Sequence, residues 1–310
     1  MTNIEQHIAQ HLRRLQSLNY SPITIRTSSF ILRRFSAWLS LVGVHTPEKL
    51  RARHLDNWQE ALAARMNGAG KPLKARSVNK EIEVVKVFLG YLVRERLIPV
   101  VLTEHLCNVK EPSMLPGSVL THLQARQLLD AIETGTADGY RNRTILELLY
   151  SSGIRSAELL GLDLGDLDLT AGTAIVMGKG RKQRVVPFGA TAARFLQTYI
   201  KAIRPHLLHS TSEAALFLDG SGKRLPYYTL RRIVHACCEA SGLDINVTPH
   251  TFRRSCTTEL LRLGANMYHV KELLGHESLD TLKHYARLTI TDLKRTHKRC
   301  HPRDKNSEEN

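Results

Sequence analysis

Between Ile98 and Leu120 the helical spacing of apolar side chains that runs through the preceding residues stops. Pro99, Pro112, Pro116 and Gly117 punctuate the gap. A chain broken in this way reads as two units, expected over residues 1–111 and 112–310 with the linker in the break. At 310 residues both are long enough to bury a core of their own.

Before the break every sign is helical. Ser21 followed by Pro22 is a helix start, the serine capping and the proline suited to the first turn. Behind it Ile25, Phe30, Ile31, Phe35, Trp38 and Leu39 recur at helical spacing as far as Leu41. A second amphipathic segment runs from Leu55 to Met66, where Asn67 to Gly70 break it. A third runs from Ser77 to about Leu97 with Ile82, Val85, Phe88, Leu89 and Leu92 on one face. His7, His11, His206 and His209 share no pattern and are expected at the surface.

After the break the periodicity changes. Thr121 caps a helix through Ile132, and a second follows over Tyr140 to Ser151. Thr173–Met177 and Arg184–Pro187 are short β-type runs separated by G-K-G-R-K-Q, a hairpin with a basic tip. Ala214–Leu218 is a further strand candidate. Helical spacing resumes at 189–203, 226–241, 249–263 and 266–274, with a shorter stretch around Leu279 to Leu288; Arg303–Asn310 is expected to be disordered. The expected class is mainly α with a small antiparallel β-sheet.

The charge narrows the partners. With 44 Lys and Arg against 29 Asp and Glu the net charge is +15, and residues 1–111 hold 17 basic and 9 acidic residues. Such an excess points to an anionic partner, most commonly a nucleic acid, whose counterions it displaces. No apolar run reaches the length of a membrane span, and Met1–Arg14 lacks the apolar stretch of a signal peptide. The five cysteines are odd in number and form no C-x-x-C pair. Reduced thiols in the cytoplasm fit this better than a disulfide framework or a zinc site.

Four segments concentrate reactive polar residues: G-I-R-S-A-E at 153–158, G-K-G at 178–180, P-H-T-F-R at 249–253, and L-G-H at 274–276 with Tyr285 nine residues on. Each alone has an ordinary reading as a cap, a turn or a surface pair. Together they supply two arginines, two histidines, a lysine, a tyrosine and one carboxylate, the set that phosphodiester cleavage by a protein nucleophile requires. Paired guanidiniums neutralise the non-bridging oxygens as charge accumulates on them. A phenol attacks once its proton is removed, and the leaving oxygen needs a donor such as lysine. The acidic cluster of a two-metal nuclease and the G-x-x-x-x-G-K-[ST] loop are both missing from the sequence, so neither metal nor nucleotide cofactor is expected.

The order Arg, Lys, His-x-x-Arg, His, Tyr resembles the tyrosine recombinase (phage integrase) family. The segments are G-I-R-S-A-E-L-L-G-L at 153–162, G-K-G-R-K-Q-R-V-V-P at 178–187, P-H-T-F-R-R-S at 249–255 and E-L-L-G-H-E-S at 272–278. Y-S-P-I-T at 20–24 is similar to the family's Y-S-x-x-T, and the tail at 293–303 resembles the ending of Xer recombinases. The resemblance implies an all-helical, SAM-like core-binding domain over 1–111 and an α+β catalytic domain over 112–310. It implies Tyr285 as nucleophile, Arg155 and Arg253 on the non-bridging oxygens, and Lys179 as proton donor to the leaving 5′-oxygen. His250 would assist proton transfer at the tyrosine, His276 would hydrogen-bond the phosphate, and Glu158 would orient the catalytic arginine or histidine. Where the family often has T-T-x-x-Y this chain has T-L-K-H-Y, with Leu282 and His284 as departures.

The implied activity is site-specific strand exchange through a 3′-phosphotyrosine link and a Holliday junction, by an Xer-like enzyme or a mobile-element integrase. The implied partners are duplex DNA with inverted half-sites, and a homotetramer or a hetero-assembly with a second recombinase in which Thr291–Cys300 passes to a neighbour. Two other readings use similar parts. A type IB topoisomerase relaxes supercoils as a monomer, and a DNA-binding regulator keeps the fold without the chemistry. The N-terminal clamp and the tail argue against the first, and the full polar set against the second.

Overall fold

The computed structural model describes residues 3–111, 118–178, 182–209 and 213–275. Lys179, His276 and Tyr285 lie outside the described residues, as do the expected helix around Leu279–Leu288, the segment Thr291–Cys300 and the tail Arg303–Asn310. The chain divides into two compact units, Met1–Met114 and Leu115–Asn310.

The first unit is helical throughout its regular elements. Helix α1 (Ile4–Ser17) starts at Asn3, whose side chain accepts from the Glu5 N–H while Gln6 accepts from the Asn3 N–H. Its buried face is Ile4, His7, Ile8, His11 and Leu15, so His7 and His11 belong to the core and not the surface. Their i, i+4 spacing with the apolar residues of the same stripe puts them there. Helix α2 (Pro22–Leu41) opens at Ser21, whose Oγ accepts from the Thr24 N–H at 3.1 Å. Its buried stripe is Ile31, Leu32, Phe35 and Leu39; Phe30 points outward and lies under the Arg34 guanidinium.

Helices α3 (Ala52–Ala64) and α4 (Ala75–Arg94) complete the unit, with Leu55, Trp58 and Leu62 facing Ile82, Val85, Phe88, Leu89 and Leu92 in one core. Within it the carboxylate of Glu81 is buried and satisfied by Arg34 and Arg65. The expected linker is shorter than its sequence suggests. Ile98, Leu102 and Leu106 are buried in this core, and Asn79 exchanges hydrogen bonds with Val109 at 2.7 and 2.9 Å. Proline interrupts helix, but it does not stop the chain from packing.

The second unit is built on α6 (Ala137–Ser152), where Ile145, Leu146, Leu148 and Leu149 are wholly buried. A helix apolar on this many sides sits inside its domain. Around it lie α5 (His122–Asp130), α7 (Ser156–Gly161), α8 (Ala190–Thr198), a π-helical turn (Tyr199–Ile203), α9 (Arg204–Leu207), α10 (Tyr227–Ser241), α11 (Pro249–Arg262) and α12 (Met267–Leu274). The sheet is antiparallel in the order β1 (Leu167–Asp168), β2 (Thr173–Met177), β3 (Gln183–Pro187), with Ile175 opposite Val185.

Ala214–Leu218 is not a strand of this sheet. It forms isolated bridges to Asp163 and Arg224, and the buried Arg204 holds it by donating to the carbonyl of Ala215 at 2.8 and 3.1 Å. Its run of apolar residues reflects burial rather than sheet pairing.

Candidate active site

Helix α6 ends at Gly153, left-handed at φ 62°, and the chain turns at once into α7. Glycine is required there twice over. Besides the positive φ, a Cβ would lie 2.9 Å from Leu274 Cδ2 and 3.2 Å from Cys256 Sγ. The turn sets Arg155 just before α7 and Glu158 in its first turn. Glu158 accepts the Arg155 N–H at 2.8 Å and the Arg155 Nη1 at 2.9 Å.

Arg253 comes from α11, whose first residues are Pro249 and His250 after the capping Thr248. It is buried, donating through Nη1 to the carbonyl of Gly153 and through Nη2 to that of Leu274, each at 2.7 Å. Arg155 donates through Nη2 to the carbonyl of Gly275 at 2.7 Å. The two guanidiniums are therefore fastened to consecutive carbonyls at the end of α12, where a helix has unpaired acceptors and a negative pole. Gly275 is left-handed at φ 62° and closes that helix; His276 is the next residue.

Arg184 of β3 takes part in the same cluster, and the sequence reading did not single it out. Its Nη1 and Nη2 donate to Oε1 and Oε2 of Glu158, both at 2.8 Å, and its Nε donates to the carbonyl of Leu273 at 3.0 Å. One signal could have found it. Arg184 shares a strand face with the fully buried Val186, and a charge on an inward face needs a partner.

The charges set the titration of the site. Burial alone would raise the Glu158 carboxyl, but hydrogen bonds from Arg184, from the Arg155 N–H and from the Arg155 guanidinium outweigh it and hold it down at about 2. Burial, and then the charge of Arg155, lower Arg253 to about 10, so it stays a cation at neutral pH. His250 has an exposed edge, yet the protein around its ring is the first cause lowering its pKa, followed by the charges of Arg253, Arg254 and Arg155. Both causes favour the neutral imidazole, the form able to accept a proton.

Four of the seven expected site residues, Arg155, Glu158, His250 and Arg253, converge within the second unit. Lys179 follows Gly178, whose N–H donates to the carbonyl of Lys182 at 2.8 Å and closes the described base of the β2–β3 hairpin. Among the described residues no three His, Cys, Asp or Glu side chains cluster as metal ligands would, and no helix is long and apolar enough to cross a membrane.

Residues 118–291 match the phage integrase family. Tyrosine recombinase XerD of Staphylococcus saprophyticus is 35% identical over 240 residues, spanning 76% of this chain and 79% of that protein. Tyrosine recombinase XerC 2 of Ralstonia nicotianae is 32% identical over 300 residues, spanning 96% and 86%. Among solved structures, the Tn1549 transposon integrase in complex with a circular intermediate DNA aligns with a TM-score of 0.74 at 18% identity, over 96% of this chain and 100% of that one. The XerH site-specific recombinase bound to a palindromic difH substrate aligns at 0.71 and 22% identity, over 90% and 80%.

Proposed function

The chain belongs to the phage integrase family of tyrosine recombinases, enzymes that cut and rejoin DNA, and on that footing we propose how its own residues divide the work. It is a site-specific recombinase that carries the broken strand on a tyrosine. Tyr285 attacks the scissile phosphorus, a phosphotyrosine bond forms at the 3′ end, and the bond to the 5′-oxygen breaks. Lys179 supplies that oxygen's proton, while His250 assists removal of the phenol's. Arg155 and Arg253 hold the non-bridging oxygens and His276 adds a hydrogen bond to them. One phosphodiester is exchanged for another ester of similar energy, so rejoining is the same reaction run backward.

The observation that carries this reading is the anchoring of both guanidiniums. Arg155 and Arg253 are held to the carbonyls of Gly275 and Leu274, with Glu158 ionised beside them. They are fixed before any phosphate arrives, and fixed donors stabilise a transition state without reorganising. The downward shift of His250, which favours its neutral form, supports its part in proton transfer.

The partner is duplex DNA with two inverted half-sites, engaged by four active sites in a homotetramer or in a hetero-assembly with a second recombinase. The palindromic substrate of XerH and the net charge of +15 support it. A cytoplasmic location follows from such a substrate.

The test begins with duplexes selected from a randomised library and mapped by footprinting, which should yield inverted half-sites around a short spacer. A nicked duplex carrying that site should then form a denaturant-stable adduct with the protein. Tyr285→Phe should abolish the adduct and leave affinity for the site within about twofold. An adduct that survives the substitution would remove Tyr285 as the nucleophile.

A further inference from the structure

We propose that Arg184 is a positioning residue of this site: it holds Glu158 in place so that Arg155 remains free to bind phosphate. The inference rests on the recombinase reading above.

Three guanidiniums take the last three carbonyls of α12 and its cap: Arg184 that of Leu273, Arg253 that of Leu274 and Arg155 that of Gly275. Two of them, Arg155 and Arg184, share the single carboxylate of Glu158. The sharing is unequal. Arg184 presents its whole fork, one Nη to each oxygen. Arg155 gives one side-chain nitrogen to Oε1 and its backbone N–H to Oε2. Arg155 is the more exposed, with 37% of its side chain accessible against 16% for Arg184.

A bidentate fork is the geometry in which guanidinium and carboxylate bind most strongly. While Arg184 occupies it, Glu158 cannot pair with Arg155 in the same way. Without Arg184 the buried carboxylate keeps one cationic partner on its own turn, Arg155. It would close onto that guanidinium and draw it away from the phosphate. Arg253 of α11 also faces Glu158 electrostatically, but its two Nη atoms are bound to carbonyls.

Arg184 also joins the segments that carry the remaining expected groups. A Cβ on Gly178, the residue before Lys179, would lie 3.4 Å from Arg184 Nη1 and 3.8 Å from Glu158 Oε1. A Cβ on Gly275, the residue before His276, would lie 3.1 Å from Arg184 Cζ. At Gly275, where a Cβ would be too close, glycine lets the backbone lie against that guanidinium.

The experiment measures single-turnover adduct formation on the selected nicked duplex, together with affinity for that duplex, for the wild type, R184Q and R184K. R184Q should slow adduct formation by about 10- to 100-fold, the scale of cost for a small misplacement of a group that positions the reacting phosphate. Its DNA affinity should stay within about threefold, because many phosphates share the binding. R184K, which keeps the charge but not the fork, should recover part of the rate. Should R184Q fail to fold, R184K carries the test through slowed cleavage at retained affinity. A cleavage rate within about threefold of wild type in the folded Arg184 variants would overturn the proposal. So would equal losses of rate and affinity. Absence of any adduct with the wild-type protein would instead remove the recombinase reading, and this inference with it.

Discussion

Replacing Glu158 by Gln removes one negative charge from the middle of the guanidinium cluster and changes almost nothing in size. The side chain of Glu158 is 3% accessible, and its carboxyl is held at about 2 against an ordinary 4.5. At about 1.4 kcal/mol per tenfold change in proton affinity, that difference stabilises the folded, ionised form by about 3 kcal/mol at neutral pH. Because the folded value is the lower one, this stabilisation is complete above pH 4.5 and is lost as the pH falls toward 2. E158Q should therefore be less stable than the wild type by about 3 kcal/mol at pH 7, or more if the stranded guanidiniums relax poorly. The gap should narrow steadily as the pH falls through that window.

Urea unfolding measures the effect, followed by two probes. Both tryptophans, Trp38 and Trp58, lie in the first unit, so tryptophan fluorescence reports that unit. The transition seen only by far-ultraviolet circular dichroism belongs to the second. A difference below about 1 kcal/mol at pH 7, or one that stays constant down to pH 2.5, would refute the assignment of Glu158 as a buried, ionised hub.

Two further outcomes concern packing. His11 is 2% accessible between Phe88 and Tyr91, and its Nδ1 has no hydrogen-bond partner among the described residues. Burial first, then the charges of Arg94 and Arg14, lower it to about 4 from 6.5. Its neutral form is favoured in the fold, so stability is full above pH 6.5 and declines below; at pH 5.5 the first unit should lose about 1 kcal/mol. Urea midpoints by tryptophan fluorescence for the wild type and His11→Phe test this, and an equal pH response in both would refute it. Gly153→Ala places a Cβ 2.9 Å from Leu274 Cδ2 at φ 62°. Strain and overpacking together should destabilise the second unit by about 2–4 kcal/mol, and an unchanged dichroism transition would contradict it.

The amino-acid order determined by itself what acts over short range. The capping Ser21 and Thr121 and the helical stripes place α2, α5, α6 and α11 within a few residues of where the structure has them. The hairpin of β2 and β3 was legible for the same reason, since its register closes over a few residues. The recombination motifs were legible as residue types in order, because phosphoryl chemistry demands those types.

Tertiary structure alone decided which partners these residues take. Periodicity marked Phe30 as a core candidate, and the surrounding helices left it exposed. His7 and His11 were expected outside, and packing took them in. Arg184 reads as one more basic residue in a basic hairpin until the fold brings it to Glu158, 26 positions earlier, and to the carbonyl of Leu273, 89 positions later. Helix spacing and capping are set by neighbours a turn away, whereas a buried charge is satisfied by whichever partner packing delivers, and no local pattern encodes that meeting.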